Sequence, residues 1–379
     1  MIVGVARETF PGERRVGLVP EGVRRLIANK IEVAVASGAG QAAWFSDDDY
    51  ERAGARLEPS PEKLLWQADL VVKINPPTLA EVDALRRGAV LVCLLYPRAH
   101  VDATLRLAAR GVTTLALENM PRTTVAQSMD VLSSQSTVAG YRAVIVAANL
   151  LAKFFPMLMT AAGTFAPARV LVLGAGVAGL QAIATARRLG AVVEAFDVRR
   201  TVREQVESLG ARYIEPWLEQ ATESAEGYAQ QLTEASLERA RNAIRLPLAN
   251  ADVCITTALV PQQRAPVLIP REMLEGMRPG SVLVDLAAEQ GGNCELTKAG
   301  EDWVCRGVTI VGRLNLAAEV AQDASRMFSR NMEKLMAHLL RDGLVRLDFG
   351  DEITGRCVVT HGGEVVDDGL RQALASLKG

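Results

Sequence analysis

"VLVLGAGVAGLQAIATARRLGAVVEAFD", residues 170–197, decides the fold. An apolar run leads straight into Gly174, Gly176 and Gly179 in G-x-G-x-x-G spacing, a helical pattern follows, and a second apolar run ends in Asp197. A strand, a glycine turn and a helix in that order make a dinucleotide fingerprint far more specific than the glycines alone. Gly174 would allow the tight turn, Gly176 would let the backbone approach a pyrophosphate at the helix N-terminus, and Gly179 would let helix and strand pack closely. Asp197 stands where a carboxylate accepts hydrogen bonds from both ribose hydroxyls of an adenosine and repels a 2′-phosphate. That favours NAD(H) over NADP(H), although Arg199 and Arg200 follow at once and could neutralise a phosphate. The competing structural reading makes the same glycines packing devices only.

Outward from this stretch, apolar runs alternate with helical patterns. Downstream lie "ADVCITT", "SVLVDLA" and "VTIVG"; upstream lie "IVGVA", "IEVAVA", "DLVVKI", "AVLVCLL" and "VTTLAL". Between the upstream runs, "PEGVRRLIANK" places Pro20 at a helix start and "DATLRLAARG" places Gly111 at a helix stop. Such alternation predicts α/β architecture: two Rossmann-like, doubly wound parallel-sheet domains joined by long helices, with a nucleotide cleft between them. Residues 1–130 with 320–379 are expected to form the first domain and 131–319 the second, the C-terminal helical stretch packing back on the first. More than thirty residues separate "ARYIEP" from "ADVCITT". Spacing alone favours a long surface helix there, over 230–245; a lid around Gly227 and Tyr228 is the alternative.

The bulk numbers exclude several function classes. The 379 residues carry 42 basic and 44 acidic side chains, a formal charge of −2, so no nucleic-acid or anionic-membrane footprint is expected. The five cysteines, Cys93, Cys254, Cys294, Cys305 and Cys357, form no C-x-x-C pair and read as reduced, mostly buried thiols. His100, His338 and His361 form no ligand cluster, so no metal is expected. The opening "MIVGVARETF" reads as a strand, without a signal-peptide apolar region, which implies a cytoplasmic location. "YRAVIVAANLLAKFFPMLMTAAG", residues 141–163, is interrupted by Arg142, Lys153 and Pro156 and reads as a buried helix kinked or ended near Pro156, not a membrane span.

Just ahead of the core, "MPRTTVAQSMDVLSSQS", residues 120–136, places Arg122, Gln127 and Asp130 within nine positions. A guanidinium reaches phosphate or carboxamide oxygen, Gln offers a donor and an acceptor to ribose hydroxyls, and Asp accepts from a carboxamide NH₂. These are groups that the nicotinamide end of a dinucleotide needs. The plainer reading is that Asp130 and Ser128 cap the following helix.

"RTTVAQSMDVLSSQSTVAGYRAV", residues 122–144, followed by "LGAGVAGLQAIATARRLGAVVEAFDVR", resembles the NAD(H)-binding component, domain I, of proton-translocating nicotinamide nucleotide transhydrogenase. The resemblance extends to "VARETFPGERRVGLVPEGV" and "VDLAAEQGGNCELT" and covers essentially the whole chain. It implies that Arg122, Gln127 and Asp130 form a loop closing on the NADH nicotinamide, with Gln127 also near the NADP(H) ribose of the neighbouring component and Ser133 near the carboxamide. Val131, Val177, Ala178, Val198, Arg199, Thr257, Ala258 and Leu259 would complete the cofactor contacts. Tyr228 matches the tyrosine of the family's mobile loop, which makes a lid over about 218–246 the favoured reading. The implied chemistry is direct hydride transfer from C4 of one nicotinamide to C4 of another, by orientation and close approach.

Alanine dehydrogenase and saccharopine-type dehydrogenases are more distant relatives within the same resemblance, and an NAD-dependent amino-acid dehydrogenase is the alternative. Arg15 and Lys73 persist from their substrate site, but Tyr96 stands in place of histidine and Glu289 in place of aspartate. Loss of a group titrating near neutrality argues against imine chemistry. Lys73 reads as a snorkelling strand-end lysine, and Arg15 as a brace for the N-terminal turn through Glu13 or Glu21. A third class is an NAD-binding module with no chemistry of its own. The ending "SLKG" lacks a hydrophobic tail, so the expectation is a free-standing first α subunit, a homodimer. It would dock at the cytoplasmic side of the inner membrane on an NADP(H)-binding β subunit and a membrane-spanning α subunit, which hold the proton pathway.

Overall fold

The computed structural model describes residues 1–215, 233–259, 263–341 and 343–376. The chain divides into two compact units, residues 1–135 with 318–379, and residues 136–317.

In the first unit, β1 (Ile2–Val5), β2 (Glu32–Ala36), β3 (Arg56–Glu58), β4 (Leu70–Val72), β5 (Val90–Cys93) and β6 (Thr113–Ala116) run parallel in the order β3-β2-β1-β4-β5-β6. Every residue of β4, β5 and β6 is buried, as a parallel sheet covered on both faces requires. Helix starts follow the local chemistry. Pro20 opens Pro20–Ala28, and the capping boxes Ser46/Asp49 and Thr78/Glu81 open Asp47–Arg52 and Leu79–Ala84. Gly111 leaves Val101–Ala109 at φ +69°, a left-handed stop.

The C-terminal segment completes this unit. Val358–His361 adds antiparallel to β6, and Glu364–Val365 pairs with it in turn. Helix Ala321–Leu339 buries Phe328, Met332, Leu335 and Leu339 along one face. Its Ser325 and Ser329 hydroxyls accept from the Val16 and Val19 N–H groups at 3.0 and 3.3 Å, so the tail is hydrogen-bonded to the N-terminal loop.

In the second unit, β9 (Arg169–Leu173), β10 (Val192–Phe196), β11 (Arg212–Ile214), β12 (Val253–Thr256) and β13 (Val282–Asp285) are parallel in the order β11-β10-β9-β12-β13. Strand β15 (Val308–Val311) extends the sheet in parallel and β14 (Asp302–Cys305) closes it antiparallel. The order reverses between β9 and β12, the switch point beside which such sheets bind nucleotides. Helix Glu234–Asn250 covers the later part of the long connection, whereas the expected lid around Gly227 and Tyr228 lies outside the described residues.

The apolar stretch 141–163 differs from its expectation. The helix is Val131–Leu150, starting earlier and ending six residues before Pro156, and the remainder forms a hairpin, β7 (Leu158–Thr160) with β8 (Gly163–Phe165). Chain following Leu150 is largely exposed: Phe154 is 52%, Met157 58% and Met159 77% exposed. Gly140 explains what the helix does instead of continuing the apolar run. A Cβ there would lie 2.1 Å from the Ala178 carbonyl oxygen, so this helix packs backbone to backbone against the start of the fingerprint helix.

Candidate functional site

The fingerprint turn joins β9 to helix Val177–Arg188. Gly174 takes φ +101°, and a Cβ on it would meet the Thr257 hydroxyl at 2.6 Å. A Cβ on Gly179 would sit 1.8 Å from the Gly174 carbonyl oxygen, so any other residue would push the helix off the strand. Gly176 is the opposite case: a Cβ there would meet nothing within 4 Å, at φ −75°. No side chain caps the helix behind it. An open approach to an uncapped, electropositive helix start fits a pyrophosphate.

Asp197 lies at the end of β10 and is 5% exposed. Its Oδ2 accepts from the Ala175 N–H at 2.7 Å, which ties the acid to the fingerprint turn, and its Oδ1 accepts from the Arg199 N–H at 2.8 Å. The Arg199 guanidinium closes on the same carboxylate, Nε to Oδ1 at 3.0 Å and Nη2 to Oδ2 at 2.9 Å. Arg200 pairs with Glu215 at 3.0 Å. Both arginines that could have answered a 2′-phosphate therefore face carboxylates of this chain. Tyr213 joins this group. Its hydroxyl donates to the Asp197 and Arg199 carbonyls at 2.7 and 3.2 Å, clamping the turn, and burial followed by the Asp197 charge pushes its pKa up. Nothing in the sequence marks it, because it comes from β11, sixteen residues on.

The polar loop belongs to the first unit. Met120, Ala126 and Met129 anchor it in that unit's core, while Arg122 and Gln127 are exposed. Gln127–Met129 is a single 3-10 turn, with the Ala126 and Gln127 N–H groups donating to the Thr123 carbonyl at 3.1 Å. Asp130 caps Val131–Leu150: its carboxylate accepts from the Ser133 N–H at 3.0 Å and the Ser133 hydroxyl at 2.6 Å. The capping reading thus holds for Asp130; Ser128 instead offers its carbonyl, which accepts from Asn331 Nδ2 at 2.8 Å. Asn331 has no signal in the sequence as a support for this loop, because it comes from the distant C-terminal helix.

Arg15 and Lys73 are both paired internally. Arg15, 6% exposed, binds Glu13 through Nε at 2.8 Å and Nη2 at 2.6 Å and donates through Nη1 to Gln135 at 2.8 Å; Glu21 pairs with Arg25 instead. Burial raises the Glu13 pKa, but Arg15 and Asn75 outweigh it and hold the carboxyl at about 2. Lys73 does not snorkel. It is 1% exposed, with Nζ 2.7 Å from Glu81 and 3.9 Å from Glu8, because its strand end is roofed by Leu79–Ala84, whose Glu81 turns inward to meet it. Tyr96 has φ +47°, and its N–H donates to Glu118, as does that of Leu95 at 3.0 Å. Glu289 accepts from the Asn315 N–H at 2.9 Å.

Cys93, Cys254, Cys294 and Cys357 are buried free thiols and Cys305 is partly exposed. Among the described residues no cluster of three or more His, Cys, Asp or Glu side chains could hold a metal, and no helix is long and apolar enough to cross a membrane.

Comparison with known proteins agrees with this geometry. The N-terminal domain family described as alanine dehydrogenase/PNT matches residues 4–139, and the corresponding C-terminal domain family matches residues 143–368. The first of the separate alpha-subunit chains of the NAD(P) transhydrogenase of Rhodospirillum rubrum is 46% identical over 380 residues, covering 98% of this chain and 99% of the relative. A transhydrogenase structure from Sinorhizobium meliloti superposes with a TM-score of 0.86 at 42% identity, covering 97% of this chain and 100% of the other. Alanine dehydrogenase of Halomonas elongata is 33% identical, covering 99% of this chain and 97% of the relative.

Two outcomes follow from the site. Gly176→Ala should cost about 1 kcal/mol of stability or less, yet weaken dinucleotide binding at least about tenfold, measured by thermal melting beside fluorescence titration. Equal binding by variant and parent would remove the pyrophosphate from this turn. Burial raises the Glu118 pKa from 4.5 to about 7. Its protonated form is therefore favoured by folding, and that stabilisation is complete below about pH 4.5 and lost as the pH rises through 7. Glu118→Gln should flatten the melting temperature between those values, an effect on the order of 2 kcal/mol; an unchanged pH profile would contradict it.

Proposed function

The chain belongs to the alanine dehydrogenase/PNT family, and from that premise we propose that it is the NAD(H)-binding component of a proton-translocating transhydrogenase. One observation carries the choice within the family: the dinucleotide turn is complete, while the amino-acid centre is disarmed. Lys73 is paired with Glu81, Arg15 with Glu13, and a tyrosine stands where imine chemistry needs a histidine. Neither cation has charge to spare for a substrate carboxylate, and the position of Tyr96 offers no acid or base near neutrality.

When bound, the dihydronicotinamide supplies a hydride, so that NADH and NADP⁺ become NAD⁺ and NADPH with no proton exchanged at a side chain. The residues of this chain bind and orient. The Val177–Arg188 helix start takes the pyrophosphate, Asp197 exchanges Arg199 for the adenosine ribose hydroxyls, and Val198, Arg199, Thr257, Ala258 and Leu259 line the path across the switch point. Arg122, Gln127 and Asp130, with Val131 and Ser133, position the nicotinamide and its carboxamide, and Gln127, exposed on its turn, also faces the second nucleotide. The NADP(H) belongs to a partner subunit, and membrane subunits supply the proton pathway. This chain would sit with them at the cytoplasmic side of the inner membrane.

We also propose a homodimer, supported by the apolar hairpin β7–β8. Phe154, Met157, Met159 and Phe165 are all exposed there, and the Phe154 and Phe165 rings meet edge to face at 5.8 Å.

The test is a rapid-mixing assay with NADH on this chain and NADP⁺ on the NADP(H)-binding component of a transhydrogenase. NADH oxidation should require that partner, and Gln127→Asn should slow it more than about tenfold while NADH affinity changes far less. Equal losses in rate and affinity would sink the positioning role of Gln127.

A further inference from the structure

Asn293 is completely buried, 0% exposed, in "VDLAAEQGGNCELT", residues 284–297. All the hydrogen bonds of its carboxamide go to main chain. Nδ2 donates to the Ala258 carbonyl at 2.8 Å and the Pro266 carbonyl at 2.9 Å, and Oδ1 accepts from the Ala258 N–H at 3.0 Å. A side chain that holds both polar groups of one residue fixes that residue's position and its rotation. Asn293 is itself held: its N–H donates to Asp285 Oδ2 at 2.8 Å, and its carbonyl accepts from the Leu268 and Ile269 N–H groups at 2.9 and 3.0 Å.

Asp285, 1% exposed at the end of β13, is the hub behind it. Its carboxylate also accepts from the Cys294 N–H, the Ala287 N–H and the hydroxyls of Thr256 and Thr297, at 3.1, 3.0, 2.8 and 2.6 Å. The Thr257 hydroxyl donates to the Gly174 carbonyl at 3.0 Å. The segment leaving β12 is thus locked to the fingerprint turn on one side and to the β13 loop on the other.

The sheet order says which half of a dinucleotide this segment serves. Asp197, at the end of β10, marks the adenosine side of the switch point between β9 and β12. A dinucleotide laid across that point brings its second half over the end of β12, where Thr257, Ala258 and Leu259 stand. Resting on the reading that this chain binds NAD(H), we infer that Asn293 is a positioning residue for the nicotinamide half: it never touches the cofactor but sets the Thr257–Leu259 main chain against it.

The experiment compares two probes by calorimetry, NADH and 5′-AMP, on the wild-type chain and on Asn293→Ala, with thermal melting beside them. The variant should bind NADH about tenfold more weakly while 5′-AMP affinity stays within about twofold. A parallel loss of both, or no loss of either, overturns the role of Asn293. Should Asn293→Ala fail to fold, Asn293→Asp, which keeps the shape and the acceptor for Ala258 N–H but loses both donors, is read by the same ratio. A wild-type chain that binds neither probe overturns the dinucleotide reading itself, a result distinct from an unsplit ratio in the variant.

Discussion

The contact between Gly179 and the Gly174 carbonyl is the constraint on which the second unit depends. At 1.8 Å from where a Cβ would be, the helix leaves β9 closer than any side chain allows, and its N-terminus is aimed at the turn. Gly140 extends the same logic to the helix Val131–Leu150, which meets Ala178 backbone to backbone. Two helices and a strand are thereby fixed around one open spot at Gly176. Thr257 and Asp197 then tie the neighbouring strand ends to that turn, through Gly174 and Ala175. Binding geometry is built into the main chain before any ligand arrives, the arrangement that direct transfer between two cofactors requires.

The first unit supplies the complementary half of the account. Its buried cations are compensated by neighbouring carboxylates, Arg15 by Glu13 and Lys73 by Glu81 and Glu8. Such pairs are costly to break and contribute little net stability, so they read as devices that fix the loop and the strand ends. The polar loop from Arg122 to Asp130 is firm for a similar reason: two methionines pin it in the core, Asn331 holds Ser128, and Asp130 caps the long helix. What it presents outward is donors and acceptors for orientation, not a titrating group.

Much of this was legible in the sequence because it depends on local patterns. The β-branched runs are strands β1, β2, β4, β5 and β6 and the core of the second sheet, since parallel strands buried on both faces must be continuously apolar. β3 was not, being three residues of mixed character after a capped helix. Nor was the end of the long helix: the run from 141 to 163 is apolar enough for either outcome, and what divides it is contact at Gly140 and a hairpin that Pro156 precedes. At the candidate site, the glycines and Asp197 announce themselves by spacing. Tyr213, Asn293 and Asn331 do not, because each acts on backbone far away in the chain. Lys73 misled for the same reason: its partner Glu81 lies on a helix whose approach no local pattern encodes.

The central claim is that this chain binds and orients a nicotinamide nucleotide without acid–base chemistry of its own. It is tested most directly by following NADH fluorescence as the purified chain is titrated in, and then adding pyruvate and ammonium to the same solution. The account predicts a saturating binding signal followed by stable NADH. Steady NADH consumption by the chain alone would contradict it and would return Lys73 and Tyr96 to the centre of an amino-acid dehydrogenase.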